Sequence, residues 1–188
     1  MPEIDRRRRR EGAVFLIAFA ACIPLANWMI GHVGVVCPAD GPCVIPVAPR
    51  LSAPSGVLMV GAALVLRDLV QRRLGVAWGF AAIAIGSALS ALLAPASLVL
   101  ASTAAFALSE TADLVVFTPL QRRGLVVAAT ASSFVGLVVD SVVFLGLAFG
   151  SLEFLPGQIV GKLWMVILAV PVMHWLRRRD ARLGLAAV

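Results

Sequence analysis

Charge is scarce in this chain. Only 14% of its 188 residues are charged, whereas a soluble domain carries about 25%, and a water-facing globular fold is excluded as its main architecture. Catalytic signatures are missing too: no nucleophile elbow, metal-binding His pair, Walker loop or dinucleotide fingerprint occurs. The two histidines, His32 and His174, are expected at opposite membrane faces. No enzymatic activity, cofactor or metal is therefore expected. Cysteine is limited to Cys22, Cys37 and Cys43. The spacing of the last two excludes a CxxC redox pair, and no His cluster accompanies them to suggest zinc.

Apolar residues make up 61% of the sequence. They fall in runs near Ala13–Ile30, Pro54–Val70, Val76–Ala94, Ser97–Leu120, Gly124–Phe149 and Pro156–Leu176, and most are long enough to cross about 30 Å of hydrocarbon as a helix. The predicted fold is an all-α polytopic membrane protein, one transmembrane domain over 1–188 with six transmembrane helices. The first run follows basic residues as in a signal peptide, but it is long and no small-x-small cleavage site follows, so a retained span is expected. The second run is the least secure. It reaches Arg67 and Asp68 after few apolar residues, and a re-entrant or partly interfacial helix is the alternative.

The net charge of +6 comes from arginines clustered beside the apolar runs rather than along one polar face, a pattern of topology signals and not of direct nucleic-acid binding. With six crossings, Arg6 to Arg10, Arg72-Arg73, Arg122-Arg123 and Arg177 to Arg179 with Arg182 share one side, leaving Arg50 opposite. Short cytoplasmic loops are enriched in such residues, so both termini are expected inside. Residues 1–12 and 177–188 then form cytoplasmic tails, the first anchored at anionic membrane lipid, and 31–53 form an extracytoplasmic loop. In that oxidising compartment Cys37 and Cys43 form either a small disulfide or two free thiols. The stretches around Gln71-Arg72-Arg73 and Gln121-Arg122-Arg123 look alike, by a parallel repeat or by chance.

Ionised groups inside membrane helices cost several kcal/mol and usually face a partner or a watery cavity. Glu110 falls near the middle of the fourth run, Asp113 a turn further in, Asp140 in the fifth and Lys162 in the sixth. Arg67 and Asp68 sit near the inner end of the second, within snorkelling reach of water. Glu110 and Asp113 share a helical face with Ser109. Gly136 lies one turn before Asp140 and would admit a close neighbour or a flat ligand to the carboxylate; Gln158 stands one turn before Lys162. Four acids against two bases form either interhelical ion pairs that hold the bundle or the lining of a polar cavity near the loop side. A carboxylate matches the paired N–H donors of a flat nitrogen heterocycle, and Phe106, Phe117, Phe134, Phe144, Phe149 and Trp164 offer stacking surfaces. The predicted substrate-binding residues are Glu110, Asp140, Lys162, Gln158, Asn27, Ser109 and Gly136. Asp113, Asp68 and Arg67 are assigned to proton coupling or to structure.

The run Ser109-Glu110-Thr111-Ala112-Asp113, Phe117, Arg122-Arg123, Ser132-Ser133-Phe134-Val135-Gly136 and Asp140-Ser141-Val142-Val143-Phe144 with Ala148-Phe149-Gly150 resembles the queuosine precursor transporter family (YhhQ/VUT). Pro54-Ser55-Gly56, Arg67-Asp68-Leu69-Val70 and Gly75 resemble its second-helix signature, although Gln71-Arg72-Arg73 replace a customary Glu. The resemblance covers about 54–179. It implies a permease importing 7-cyano-7-deazaguanine or 7-aminomethyl-7-deazaguanine across the bacterial inner membrane, similar in outline to the six-helix substrate-binding components of vitamin transporters. The alternative is a substrate-binding membrane subunit for a vitamin or nucleobase that needs an energising partner. A homodimer is the other assembly the small residues permit.

Overall fold

A chain with so little water-seeking surface must satisfy its backbone polar groups internally, and continuous helices do so within each segment. The computed structural model describes residues 2–38 and 42–185. It contains six α-helices: α1 (Pro2–His32), α2 (Val57–Leu74), α3 (Val76–Leu93), α4 (Val99–Leu120), α5 (Leu125–Phe149) and α6 (Leu155–Leu183). A two-stranded antiparallel hairpin, β1 (Val44–Ala48) and β2 (Leu51–Pro54), joins α1 to α2. Short connections alternate the helix directions, giving the bundle an arginine end and a hairpin end.

Five helices, α1 and α3 to α6, are long and apolar enough to span a membrane. The chain is thus a multi-pass helical membrane protein. The helix below that threshold is α2, whose last two turns carry Arg67, Asp68, Gln71, Arg72 and Arg73, every one of them buried. This helix packs against all five others, so its charges meet protein instead of lipid.

Two connections at the arginine end are built the same way. Gly75 between α2 and α3 has φ 92°, and Gly124 before α5 has φ 118°, backbone conformations that glycine supplies without a Cβ clash. The matching Gln-Arg-Arg sequences therefore reach matching turns. Their arginines differ: Arg72 and Arg73 are buried, whereas Arg122 and Arg123 are exposed in a single 3₁₀ turn.

Several boundaries differ from the sequence expectation. Helix α1 includes residues 2–12 and α6 continues through Leu183, so the basic segments taken as tails are helical extensions of spans. The 31–53 loop holds the hairpin, which is tied down by hydrogen bonds from Cys43 N to Ile30 O at 2.7 Å, Ser55 N to Cys43 O at 2.9 Å and Ser55 Oγ to Met29 O at 2.7 Å. Trp164 Nε1 of α6 donates to Val47 O at 2.9 Å.

Cys37 and Cys43 are joined by a disulfide, and Cys22 is a buried free thiol. In the folded protein, maleimide should label neither Cys37 nor Cys43 until a reductant is added. Labelling at both before reduction, followed by mass spectrometry, would contradict the bond.

Candidate functional site

Arg67, fully buried, is the hub of the first polar cluster. Its Nε donates to Glu110 Oε2 at 3.0 Å and its Nη1 to Gln71 Oε1 at 3.1 Å. Its Nη2 donates to Asp113 Oδ1 and lies 3.0 Å from Asp68 Oδ1. Ser132 Oγ of α5 donates to Asp68 Oδ2 at 3.0 Å, and Gln71 Nε2 donates to Thr118 Oγ1 at 3.0 Å. The cluster thus sews α2 to α4 and α5. Snorkelling by Arg67 and Asp68 does not occur, because α2 lies at the centre of the bundle and the guanidinium turns inward to three carboxylates. Formally, three carboxylates against one guanidinium leave two surplus negative charges.

Lys162, the chain's single lysine, anchors the second cluster, nearer the hairpin end. Its ammonium donates to Asp140 Oδ2 at 2.6 Å, Ser141 Oγ at 2.7 Å and Gln158 Oε1 at 2.5 Å, using all three of its donors. The Ser109 hydroxyl lies 3.5 Å from Asp140 Oδ1. Ser109 precedes Glu110 on α4, so the two clusters meet along that helix. Close approach of α2 to α6 helps to place the lysine: a Cβ on Gly61 would stand 2.5 Å from Lys162 O.

A cavity of ≈ 80 Å³ lies against the second cluster, room for several waters. Its polar lining includes Asn27, Asp140, Gln158 and Lys162, its aromatic lining Phe106 and Phe144, and its hairpin-end rim Ile30, Pro54 and Gly56. Four of the residues predicted to bind substrate therefore line one space, and Ser109 touches it through Asp140. Glu110 belongs instead to the Arg67 cluster. Gly136 is also placed elsewhere: a Cβ there would meet Leu64 Cδ2 at 2.8 Å and Asp113 Cβ at 3.1 Å, so its missing side chain admits α2 and α4. Among the predicted stacking groups, Phe134 and Phe149 are exposed, and Phe117 packs beneath Arg67 with its ring centroid 5.9 Å from the guanidinium carbon.

A third polar cluster, at the arginine end, escaped the sequence reading. Asp180 of α6 accepts from Arg72 Nη2 at 3.0 Å, Arg73 Nη1 at 2.9 Å and Arg73 Nη2 at 2.7 Å. Glu11 of α1 accepts from Arg73 Nε at 2.9 Å and from Arg179. The sequence signal was an Asp within the run Arg177-Arg178-Arg179-Asp180-Ala181-Arg182, a lone acid that surrounding arginines would hold. This clasp joins α1, α2 and α6 at the end away from the cavity mouth.

In comparison with known families, the one described as "Putative vitamin uptake transporter" matches residues 54–176. The span takes in the Arg67 and Lys162 clusters and leaves out α1, the disulfide, Glu11 and Asp180. No curated protein and no solved structure matches the chain.

Proposed function

The chain belongs to the vitamin uptake transporter family, and from the resemblance of its second, fourth and fifth helices to queuosine precursor transporters we propose that it imports such a precursor, 7-cyano-7-deazaguanine or its 7-aminomethyl relative, across the bacterial inner membrane. In this reading both termini are cytoplasmic, α2 is the sixth crossing, and the hairpin end faces out. The observation that carries it is the Asp140–Lys162 pair at 2.6 Å in the wall of a cavity whose other lining is mostly apolar. A deazaguanine presents N–H donors beside a carbonyl. Asp140 would accept the donors, the Gln158 amide nitrogen would address the carbonyl with Lys162 holding both side chains in place, and Phe106 or Phe144 would cover the flat ring. The chemistry is recognition and release without bond making.

Binding must also be coupled to movement. The surplus negative charge around Arg67 gives a proton somewhere to reside, and Asp68, Glu110 and Asp113 are one guanidinium away from one another. Ser109 and Glu110, adjacent on α4, link this cluster to Asp140. Proton-driven uptake follows if occupancy of the cavity and charge in the Arg67 cluster change together.

The test is transport by the purified protein in liposomes with labelled 7-cyano-7-deazaguanine and an acidic exterior. Accumulation that a protonophore collapses and unlabelled precursor competes away is expected. Binding without movement would replace this reading with that of a substrate-binding subunit awaiting an energising partner. Accumulation of a labelled vitamin with none of the deazaguanine would move the substrate class.

A further inference from the structure

The arginine ends of α1 and α6 enclose a crevice of ≈ 430 Å³ lined by Arg7, Trp175, Arg178, Arg179, Arg182 and Leu183. Four guanidiniums share it with little to balance them. Glu11 is already divided among Arg7 at 3.5 Å, Arg73 at 2.9 Å and Arg179, and Arg178 and Arg182 have no ion pair among the described residues. Such convergence raises the free energy of the empty site, and a phosphate, with oxygens that several forked guanidiniums can share, relieves it.

The side chains along the helices say which phosphate. Arg182, Trp175 and Leu168 recur every seven residues on α6, so they form one stripe running from charge through an aromatic to an aliphatic group. Trp175 is 59% and Leu168 63% exposed. On α1, Arg7 and Val14 repeat the order, with Val14 62% exposed. Trp175 also receives the Arg179 guanidinium over its ring at 5.4 Å. Basic head, interfacial tryptophan and apolar flank are the order met along a phospholipid from headgroup to acyl chain. A free phosphate would use the arginines and leave the rest idle.

We propose that the α1–α6 crevice binds the headgroup of an anionic phospholipid, whose acyl chains lie along Leu168 and Val14. The proposal rests on the membrane assignment and is independent of which molecule is transported.

Native mass spectrometry of the detergent-purified full chain with added phosphatidylglycerol tests it. Wild type should retain the lipid, and R178Q/R182Q, two exposed positions outside the Glu11–Arg73–Asp180 clasp, should retain it about tenfold less or weaker still, with an unchanged melting temperature in lipid-free detergent. R122Q/R123Q, which removes an exposed arginine pair at the same end, should retain it as wild type does. Equal loss in both double variants would overturn the site in favour of diffuse surface charge. Equal retention of phosphatidylcholine, or equal binding of inorganic phosphate, would overturn the lipid assignment.

Discussion

Arg67→Gln is expected to leave almost no folded protein in detergent extracts. The substitution keeps an amide near Asp68, Glu110 and Asp113 but removes the cation that all three share. Breaking one buried pair costs about 3–5 kcal/mol because the remaining charge is stranded, and here three carboxylates are stranded at once. Whole-protein stability is typically about 5–15 kcal/mol, so the loss is comparable with everything available. Size-exclusion chromatography of the solubilised variant should show aggregate in place of the monodisperse peak. Arg67→Gln combined with Asp68→Asn, Glu110→Gln and Asp113→Asn should recover much of that peak, because neutral partners no longer strand charge. A monodisperse, wild-type-like Arg67→Gln protein would mean that the cluster is not a stability element.

The second large effect is expected at the other cluster and on function. Asp140→Asn with Lys162→Gln removes the charge pair from the cavity wall while keeping hydrogen-bonding groups of similar size, so the double variant should fold. Transport should nevertheless fall on the order of 100-fold, the loss associated with removing a desolvated charged contact. Lys162→Gln alone should lose both folded yield and uptake, because it leaves Asp140 without its cation. Deazaguanine uptake by the double variant at wild-type rates, measured per folded molecule, would remove this cavity from consideration as the substrate site. With those outcomes the two experiments would divide the polar residues by role, the Arg67 cluster holding the bundle and the Lys162 cluster meeting the proposed ligand.

The contrast explains what was legible beforehand. Charged residues inside apolar runs announce themselves, since a membrane segment gains nothing by carrying them unless a partner exists. Arg67, Asp68, Glu110, Asp113, Asp140 and Lys162 were visible for that reason. Their sorting into two clusters was not. Helical spacing places Glu110 and Asp113 on one face of α4 but does not say whether α2 or α6 packs there. Gly136 illustrates the same limit: the sequence admits either a close neighbour or a flat ligand there, and the structure fills the gap with Leu64 and Asp113. Arg72 and Arg73 were read as markers of a cytoplasmic loop, whereas the structure buries them against Asp180, a partner 107 residues beyond Arg73.

Composition and the spacing of apolar runs determined that this chain would be a helical membrane protein with helices near the runs that form them, because backbone satisfaction in lipid is a local requirement met within each segment. Only tertiary structure decided that α2, the least apolar run, would occupy the centre, that Arg67 would gather three carboxylates, and that Lys162 would be left facing a cavity. Those outcomes depend on which helices touch. Contact between segments far apart in sequence is set by complementary surfaces, such as Gly61 against the Lys162 backbone, that no single segment contains.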